Sequence, residues 1–167
     1  MILRFANSFL SPIWNRQHIA AIVITFKEPI DVEGRGGYFD EFGIVRDVMQ
    51  NHLLQMMSLV AMEPPVSLEA EAIRDEKVKL LKSIRPMTPS QVLENVVRGQ
   101  YFAGEVDGEL RPAYRSETKV RPNSNVETFA AMRLFVDNWR WSGVPILLRH
   151  GKRLKKRFTE SPDRKST

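Results

Sequence analysis

Apolar stretches near the two ends of the chain indicate strands. Residues 19–26 are apolar on both alternating faces, and the run stops at Lys27-Glu28-Pro29. This pattern predicts a buried strand that ends at Glu28. Residues 127–136 and 144–149 also have strand character and are separated only by the short segment 137–143, which predicts a hairpin pair.

Helical periodicity fills the middle of the chain. Apolar residues recur at steps of three and four between residues 40 and 62, and a surface helix with many charges is predicted over residues 68–84. A shorter helix is predicted from Thr88 to Val97, closed by Gly99. Strands at both ends with helices between them indicate an α+β domain.

Two segments lack either period. Residues 31–38 contain three glycines, which predicts a turn or loop, although the glycine spacing is not that of a dinucleotide fingerprint. Residues 103–125 are rich in Gly, Pro, Ser, Asp and Glu, and we expect an irregular connection there.

Composition narrows the class of protein. The 167 residues, 43% hydrophobic and 27% charged, suit one globular domain with a single core. The chain has no cysteine and three histidines, which argues against a disulfide framework or a zinc site. The longest apolar run is much too short to cross a bilayer and the start lacks a signal-peptide pattern, so we expect a cytoplasmic protein without a membrane partner.

The net charge of +5 is concentrated at one end. From Arg149 onwards the chain has eight Lys/Arg against two Asp/Glu, and the rest is nearly neutral. A cationic end on a neutral body suits a localised anion site better than a nucleic-acid face, so nucleic acid is not an expected partner. Residues 149–157 surround Gly151, where the backbone can turn, and this arrangement is suited to holding a phosphate dianion.

Three residues are candidates for chemistry, each with a plainer alternative. On a regular helical wheel His52 lies in an apolar stripe, where it is either a core residue with satisfied nitrogens or a buried, neutral general base. Asp47 lies about 140° from His52 on that wheel, so the helix begins near Asp47, or only one of the two belongs to a site. An acidic residue there also favours a helix N-terminus. Glu28 is either an exposed strand-end charge or a cleft residue.

Eight blocks of sequence, in order from residue 3 to about residue 160, resemble glucose-6-phosphate dehydrogenases. They are LRFAN at 3–7, IWNR at 13–16, EGRGGYFD at 33–40, RDVMQNHLLQ at 46–55, VAME at 60–63, RDEKVK at 74–79, RGQY at 98–101 and GVPILLR at 143–149. The resemblance covers nearly the whole chain. It implies that residues 1–160 are part of the C-terminal substrate-binding and dimerisation domain, with a divergent tail at 161–167.

The resemblance also implies a fold and an activity. The fold is α+β, with an incomplete, largely antiparallel sheet and helices packed on one face. The parent reaction is NADP-dependent oxidation of glucose 6-phosphate to the phosphogluconolactone, in the pentose phosphate pathway, by an enzyme that forms homodimers.

Functional positions of the family carry over residue by residue. His52 matches the proton acceptor for the C1 hydroxyl. The substrate-binding positions match Glu28, Asp47, Lys152 and Arg157. Arg149 matches a position that contacts a second, structural NADP in some members.

The departures from the family concern the coenzyme. The Gly-rich phosphate turn of the N-terminal coenzyme-binding domain and the motif Arg-Ile-Asp-His-Tyr-Leu-Gly-Lys do not occur in these residues. Without that domain no hydride acceptor is held near C1, so we expect no turnover from the isolated chain. The alternative function is a non-catalytic module for sugar-phosphate binding or oligomerisation.

Overall fold

A computed structural model describes residues 2–106, 108–154 and 158–160. The helices are α1 Ile2–Phe5, α2 Gly36–Ile44, α3 Leu54–Ala61, α4 Ala70–Lys82 and α5 Pro89–Asn95. A π-helical segment, Val45–Leu53, joins α2 to α3, and 3-10 turns lie at Ser8–Ile13 and Tyr114–Ser116. The strands are β1 Ile22–Lys27, β2 Val96–Gly99, β3 Gly104–Val106, β4 Glu109–Arg111, β5 Phe129–Phe135, β6 Pro145–Gly151 and β7 Phe158–Glu160.

The main sheet has the order β2-β5-β6-β1-β7. β5 pairs antiparallel with β2 on one side and with β6 on the other, and β7 pairs antiparallel with β1. β1 and β6 run parallel to each other. The predicted α+β class with a largely antiparallel sheet is therefore confirmed, as is the hairpin pair of β5 and β6.

The two faces of the sheet differ in burial. Along β6, Ile146, Leu148 and His150 are buried, while Leu147 and Arg149 are exposed. This alternation follows from the two-residue period of a strand, because successive side chains point to opposite faces. The buried face packs against the helical layer, whereas the opposite face is partly exposed among the described residues and is called the open face below.

A glycine breaks the long helix predicted in the middle of the chain. Gly43 has φ 71° and ψ 170°, a backbone conformation that is essentially restricted to glycine. The next helical segment starts immediately, because Glu127 accepts hydrogen bonds from the Ile44 amide with its carbonyl oxygen and from the Val45 amide with its carboxylate. A carboxylate at this position also complements the positive end of the helix dipole.

The segment after this break is a π-helix, and its changed period corrects the helical wheel. The amide of Leu54 donates to the carbonyl of Met49, five residues earlier. Leu53, fully buried, occupies the middle of the core stripe, and His52 is exposed. The prediction that His52 is buried among apolar side chains is therefore wrong, because it assumed 3.6 residues per turn.

Helix α5 is shorter than predicted. Thr88 and Gln91 form a reciprocal capping box at its start, as the hydroxyl and the following proline indicate. The helix ends at Asn95, and Val96 and Val97 instead pair with β5. Two consecutive β-branched residues favour the strand when a sheet edge is available to them.

The segment between residues 103 and 125 is more ordered than its composition indicates. It contains the β3–β4 hairpin and a 3-10 turn, and Asp40 binds it to the helical layer. The buried Asp40 carboxylate accepts hydrogen bonds from Ser124, from Arg121 Nε at 2.6 Å and from Tyr114 Oη at 3.1 Å. Although burial acts to raise the pKa of Asp40, these hydrogen bonds hold it below its ordinary value.

In the part of the chain that the structure describes, no helix combines the length and the apolar character needed to span a membrane.

We expect Gly43→Ala to destabilise the fold more than Gly34→Ala does. Both glycines have positive φ, but a Cβ on Gly43 would lie 2.7 Å from Glu127 Oε1, whereas a Cβ on Gly34 would meet nothing within 4 Å. We expect a loss of about 1–2 kcal/mol for Gly34→Ala and about 3 kcal/mol or more for Gly43→Ala. Urea unfolding followed by circular dichroism measures both, and equal losses would contradict the role given to Gly43.

Candidate functional site

A cleft of about 390 Å³ opens where β1 and β6 end. Its lining residues are Phe26, Glu28, Arg35, Asp47, Val48, His52, Met56 and Lys152. Four positions predicted from sequence, Glu28, Asp47, His52 and Lys152, are therefore brought together in one cleft. Because β1 and β6 are parallel, their carboxyl ends lie at the same edge, which delivers Glu28 and Lys152 to it.

Glu28 and Lys152 form a mostly buried ion pair. Lys152 Nζ donates to Glu28 Oε2 at 3.0 Å. The Lys152 side chain is 3% exposed and the Glu28 side chain is 16% exposed. The backbone holds this geometry, since the Glu28 amide donates to Gly151 and the Glu28 carbonyl accepts from Leu154. Pairing of this kind is required for a lysine buried so completely.

His150 lies behind this ion pair and was not predicted from the sequence as a site residue. Its Nδ1 is 2.8 Å from the Phe26 carbonyl oxygen, and its Nε2 is 3.5 Å from Glu28 Oε2. The neighbouring imidazole of His150 is the largest influence on the pKa of Glu28. Together with the ammonium group of Lys152 it lowers this pKa to about 2, against the effect of burial. The available sequence signal was the strand period, which places His150 on the same face as Lys152 two residues later.

The π-helix places Asp47 and His52 in the same cleft. In an α-helix these residues would be about 140° apart. A π-helix pairs residues five apart through its hydrogen bonds, so positions 47 and 52 come close to one face. Asp47 accepts a hydrogen bond from Tyr38 Oη at 3.4 Å. Both residues can therefore belong to the same site. The geometry does not require the alternative in which only one of them does.

The two remaining predicted positions are not part of the described cleft. Arg149 is exposed and lines a separate groove on the open face of the sheet, opposite the cleft. Arg157 lies outside the described residues. Arg35, which was not predicted, contributes an exposed guanidinium to the cleft from the start of α2.

The glycine-containing loop before α2 does not form a dinucleotide cradle. Its glycine spacing is not that of a dinucleotide fingerprint, and Gly36 packs directly against the Thr118 carbonyl and the Val120 side chain, which leaves no room for a ligand at this glycine. Nor do any three His, Asp or Glu side chains among the described residues lie close enough together to hold a metal ion.

The cleft thus combines hydrogen-bond acceptors, cations and an imidazole. Carboxylates at Glu28 and Asp47 accept hydrogen bonds from hydroxyl groups, and the cations Arg35 and Lys152 favour an anion. An imidazole at His52 is able to accept a proton. An α+β fold with such a cleft at the edge of its sheet is typical of the substrate-binding domain of an enzyme.

Sequence comparison identifies the family. Residues 1–161 match the family described as glucose-6-phosphate dehydrogenase, C-terminal domain. The chain belongs to this family, as the resemblance of its motifs predicted.

Relatives from distant organisms match nearly all of the chain. The chain is 49% identical over 159 residues to glucose-6-phosphate 1-dehydrogenase of Bacillus subtilis, covering 95% of the chain and 32% of that protein. It is 54% identical over 160 residues to the Dictyostelium discoideum protein of that name, covering 96% and 31%. The chain therefore spans about a third of the length of the curated relatives it matches.

Solved structures agree with this assignment. The crystal structure of glucose-6-phosphate 1-dehydrogenase from Mycobacterium avium superposes with a TM-score of 0.81 at 42% identity, covering 95% of this chain and 32% of that one. A glucose-6-phosphate dehydrogenase in complex with its substrate glucose-6-phosphate gives 0.80 at 48% identity, covering 90% and 30%.

We expect Glu28→Gln to lower the free energy of unfolding by roughly 3 kcal/mol at pH 7, because it leaves Lys152 buried without its counter-charge. The pKa of Glu28 falls from 4.5 to about 2 on folding. The stabilisation is therefore fully present above about pH 5 and is lost as the pH falls towards 2. The difference between wild type and variant should shrink over that range.

Unfolding curves between pH 2.5 and 7 measure this difference. Glu41→Gln, which removes an exposed carboxylate, is the matched control and should have little effect at any pH. A difference for Glu28→Gln that does not change with pH would contradict the assigned ion pair.

Proposed function

We propose that this chain is the substrate-binding part of a glucose-6-phosphate dehydrogenase and that its cleft binds glucose 6-phosphate. The observation that supports this proposal is the convergence of Glu28, Asp47, His52 and Lys152 in one cleft at the sheet edge. Within the proposed domain, residues 1–160 form the partial substrate-binding and dimerisation unit and 161–167 are a divergent tail. A cytoplasmic location is part of the proposal and rests on the sequence expectation.

Each cleft residue has a role suited to its chemistry. Oxidation at C1 of the sugar removes a hydride and the hydroxyl proton and leaves the lactone carbonyl. His52 accepts that proton, which requires a neutral imidazole facing the sugar. Glu28 and Asp47 accept hydrogen bonds from sugar hydroxyls. Lys152 and Arg35 attract the phosphate dianion, and Arg157 stays a predicted contact to the substrate.

The oxidant in this proposal is NADP, held by a coenzyme-binding domain that these 167 residues do not contain. Because these residues contain no Gly-rich dinucleotide fingerprint, we assign the chain only the sugar and proton parts of the reaction. The isolated chain then has no hydride acceptor held near C1. Losing this proximity raises the activation free energy by on the order of 7–11 kcal/mol, which abolishes turnover.

We expect activity to appear when the chain is combined with the coenzyme-binding domain of a homologous glucose-6-phosphate dehydrogenase. His52→Asn should lower the restored rate by about 10²–10⁴-fold, because the amide cannot take the C1 hydroxyl proton. NADPH formation measured at 340 nm gives the rate. His18→Asn, which changes an exposed histidine hydrogen-bonded to Asn15, is the matched control and should leave the rate unchanged.

Two results would contradict the proposed roles. Equal rates for wild type and His52→Asn would exclude His52 as the base. Failure of the wild-type chain to bind glucose 6-phosphate in calorimetry, with or without the added domain, would contradict the proposed substrate.

A second candidate function is self-association through the open face of the sheet. This face carries Val97, which is 63% exposed, and Leu147, which is 36% exposed, beside Val23 and Ala131. Apolar side chains in a row on an uncovered sheet favour a partner surface, and we propose a second copy of this chain, giving the homodimer expected from the family. Arg149 lies on this face, and its contact to a second NADP stays a prediction from the resemblance.

We expect Leu147→Glu to convert dimers to monomers, because each copy would place a charge in a self-complementary apolar contact. Sedimentation velocity at several protein concentrations measures the association. Leu110→Glu changes an 88% exposed leucine on β4, away from this face, and is the control. A dimer that survives Leu147→Glu would exclude this surface.

A further inference from the structure

The imidazole of His150 is buried with one nitrogen unpaired. The side chain has no solvent exposure, and its ring stacks on Phe26 with centroids 4.9 Å apart. Within the described residues, Nε2 of His150 is the buried side-chain nitrogen or oxygen without a hydrogen-bond partner. Buried polar atoms are rarely left unpaired, so this nitrogen calls for a physical explanation.

The opposite ring nitrogen fixes where the protons are. Nδ1 lies 2.8 Å from the carbonyl oxygen of Phe26, which can only accept, so Nδ1 carries a hydrogen. In a neutral ring Nε2 would then present a lone pair towards the ionised Glu28 carboxylate, 3.5 Å away. That contact is repulsive. It becomes an attractive hydrogen bond when the ring is an imidazolium and both nitrogens donate.

The surrounding charges allow this protonation to act on the cleft. Glu28 Oε2 faces both His150 Nε2 and Lys152 Nζ. No hydrogen bond to Glu28 Oε1 is seen within the described part of the chain. Among the described residues the carboxylate is thus held through Oε2, and we take Oε1 as the oxygen that receives a ligand. The further ionisable side chains that line this cleft from the described part of the chain are Asp47, His52 and Arg35.

We propose that His150 is a positioning residue for Glu28: as an imidazolium it donates Nδ1–H to the Phe26 carbonyl and Nε2–H to Glu28 Oε2, and so orients the carboxylate that receives a sugar hydroxyl. Ligand affinity then depends on the protonation of a residue that does not itself line the cleft. The identity of the ligand rests on the proposed function, whereas the link between His150 and Glu28 does not.

The link is tested without ligand. Long-range ¹H–¹⁵N spectra of the chain at pH 6 report whether each imidazole nitrogen carries a proton. We expect both nitrogens of His150 to be protonated in the wild type. Nε2 should lose its proton in Glu28→Gln, where the carboxylate charge is absent. An unprotonated Nε2 in the wild type at pH 6, or identical spectra for both proteins, would overturn the proposal.

The consequence for binding is tested by calorimetry with glucose 6-phosphate from pH 5.5 to 8.5. We expect His150→Leu to bind about tenfold more weakly than wild type at the low end, with the ratio of the two Kd values falling towards one as the pH rises. Titration of the ligand phosphate is common to both proteins and cancels in this ratio. A purely structural role would give a ratio independent of pH.

A conservative variant guards against misfolding. His150→Gln keeps an uncharged amide donor, so we expect it to bind more tightly than His150→Leu, with a ratio of the Kd values of these two variants that does not vary with pH. Pronounced pH dependence of that ratio would contradict the role of the imidazolium. If the wild-type chain binds no glucose 6-phosphate, the proposed function fails, and the spectra alone decide the role of His150.

Discussion

The parallel pairing of β1 with β6 is the constraint on which the candidate site depends. Its register places Phe26 beside His150 and Lys27 beside Gly151. The chain leaves both strands at the same edge, so Glu28 and Lys152, 124 positions apart in sequence, meet in an ion pair. Antiparallel pairing would carry these two side chains to opposite edges of the sheet.

The π-helical segment supplies the other half of the cleft. Gly43 breaks the helix near the end of α2, and Glu127 starts the next segment by accepting two amide hydrogen bonds. The wider turn that follows keeps Leu53 in the core and brings Asp47 and His52 to the cleft. π-helical turns are rare, but those that do occur are often found at functional sites. Such a turn changes the direction in which a few side chains point without ending the helix.

The sequence predicted the elements better than their geometry. Uniform apolar runs and a hydroxyl followed by proline are local signals, so β1, the β5–β6 hairpin and the start of α5 were predictable. The end of α5 was not, because Val96 and Val97 become a strand through pairing with β5, a contact distant in sequence. The order of residues 103–125 depends in the same way on Asp40.

The prediction of the site shows the same contrast between signals that are visible in the sequence and geometry that depends on distant contacts. Family motifs indicated Glu28, Asp47, His52 and Lys152, but a regular helical wheel placed Asp47 and His52 on different faces. No local pattern marks a π-helix, since the choice depends on packing of the whole segment against the sheet. His150 was visible only as one residue in a basic run, and its contact with Glu28 required the register of β6 against β1.

The central claim is that four residues from three separate segments form one sugar-phosphate site. The most direct measurement is ¹H–¹⁵N chemical-shift mapping of the chain during titration with glucose 6-phosphate, with glucose as the control for the phosphate. The account predicts saturable shifts at the amides of Glu28, Asp47, His52 and Lys152, weak or absent with glucose, and none at Leu147 on the open face. Shifts confined to the open face, or equal for both sugars, would contradict it.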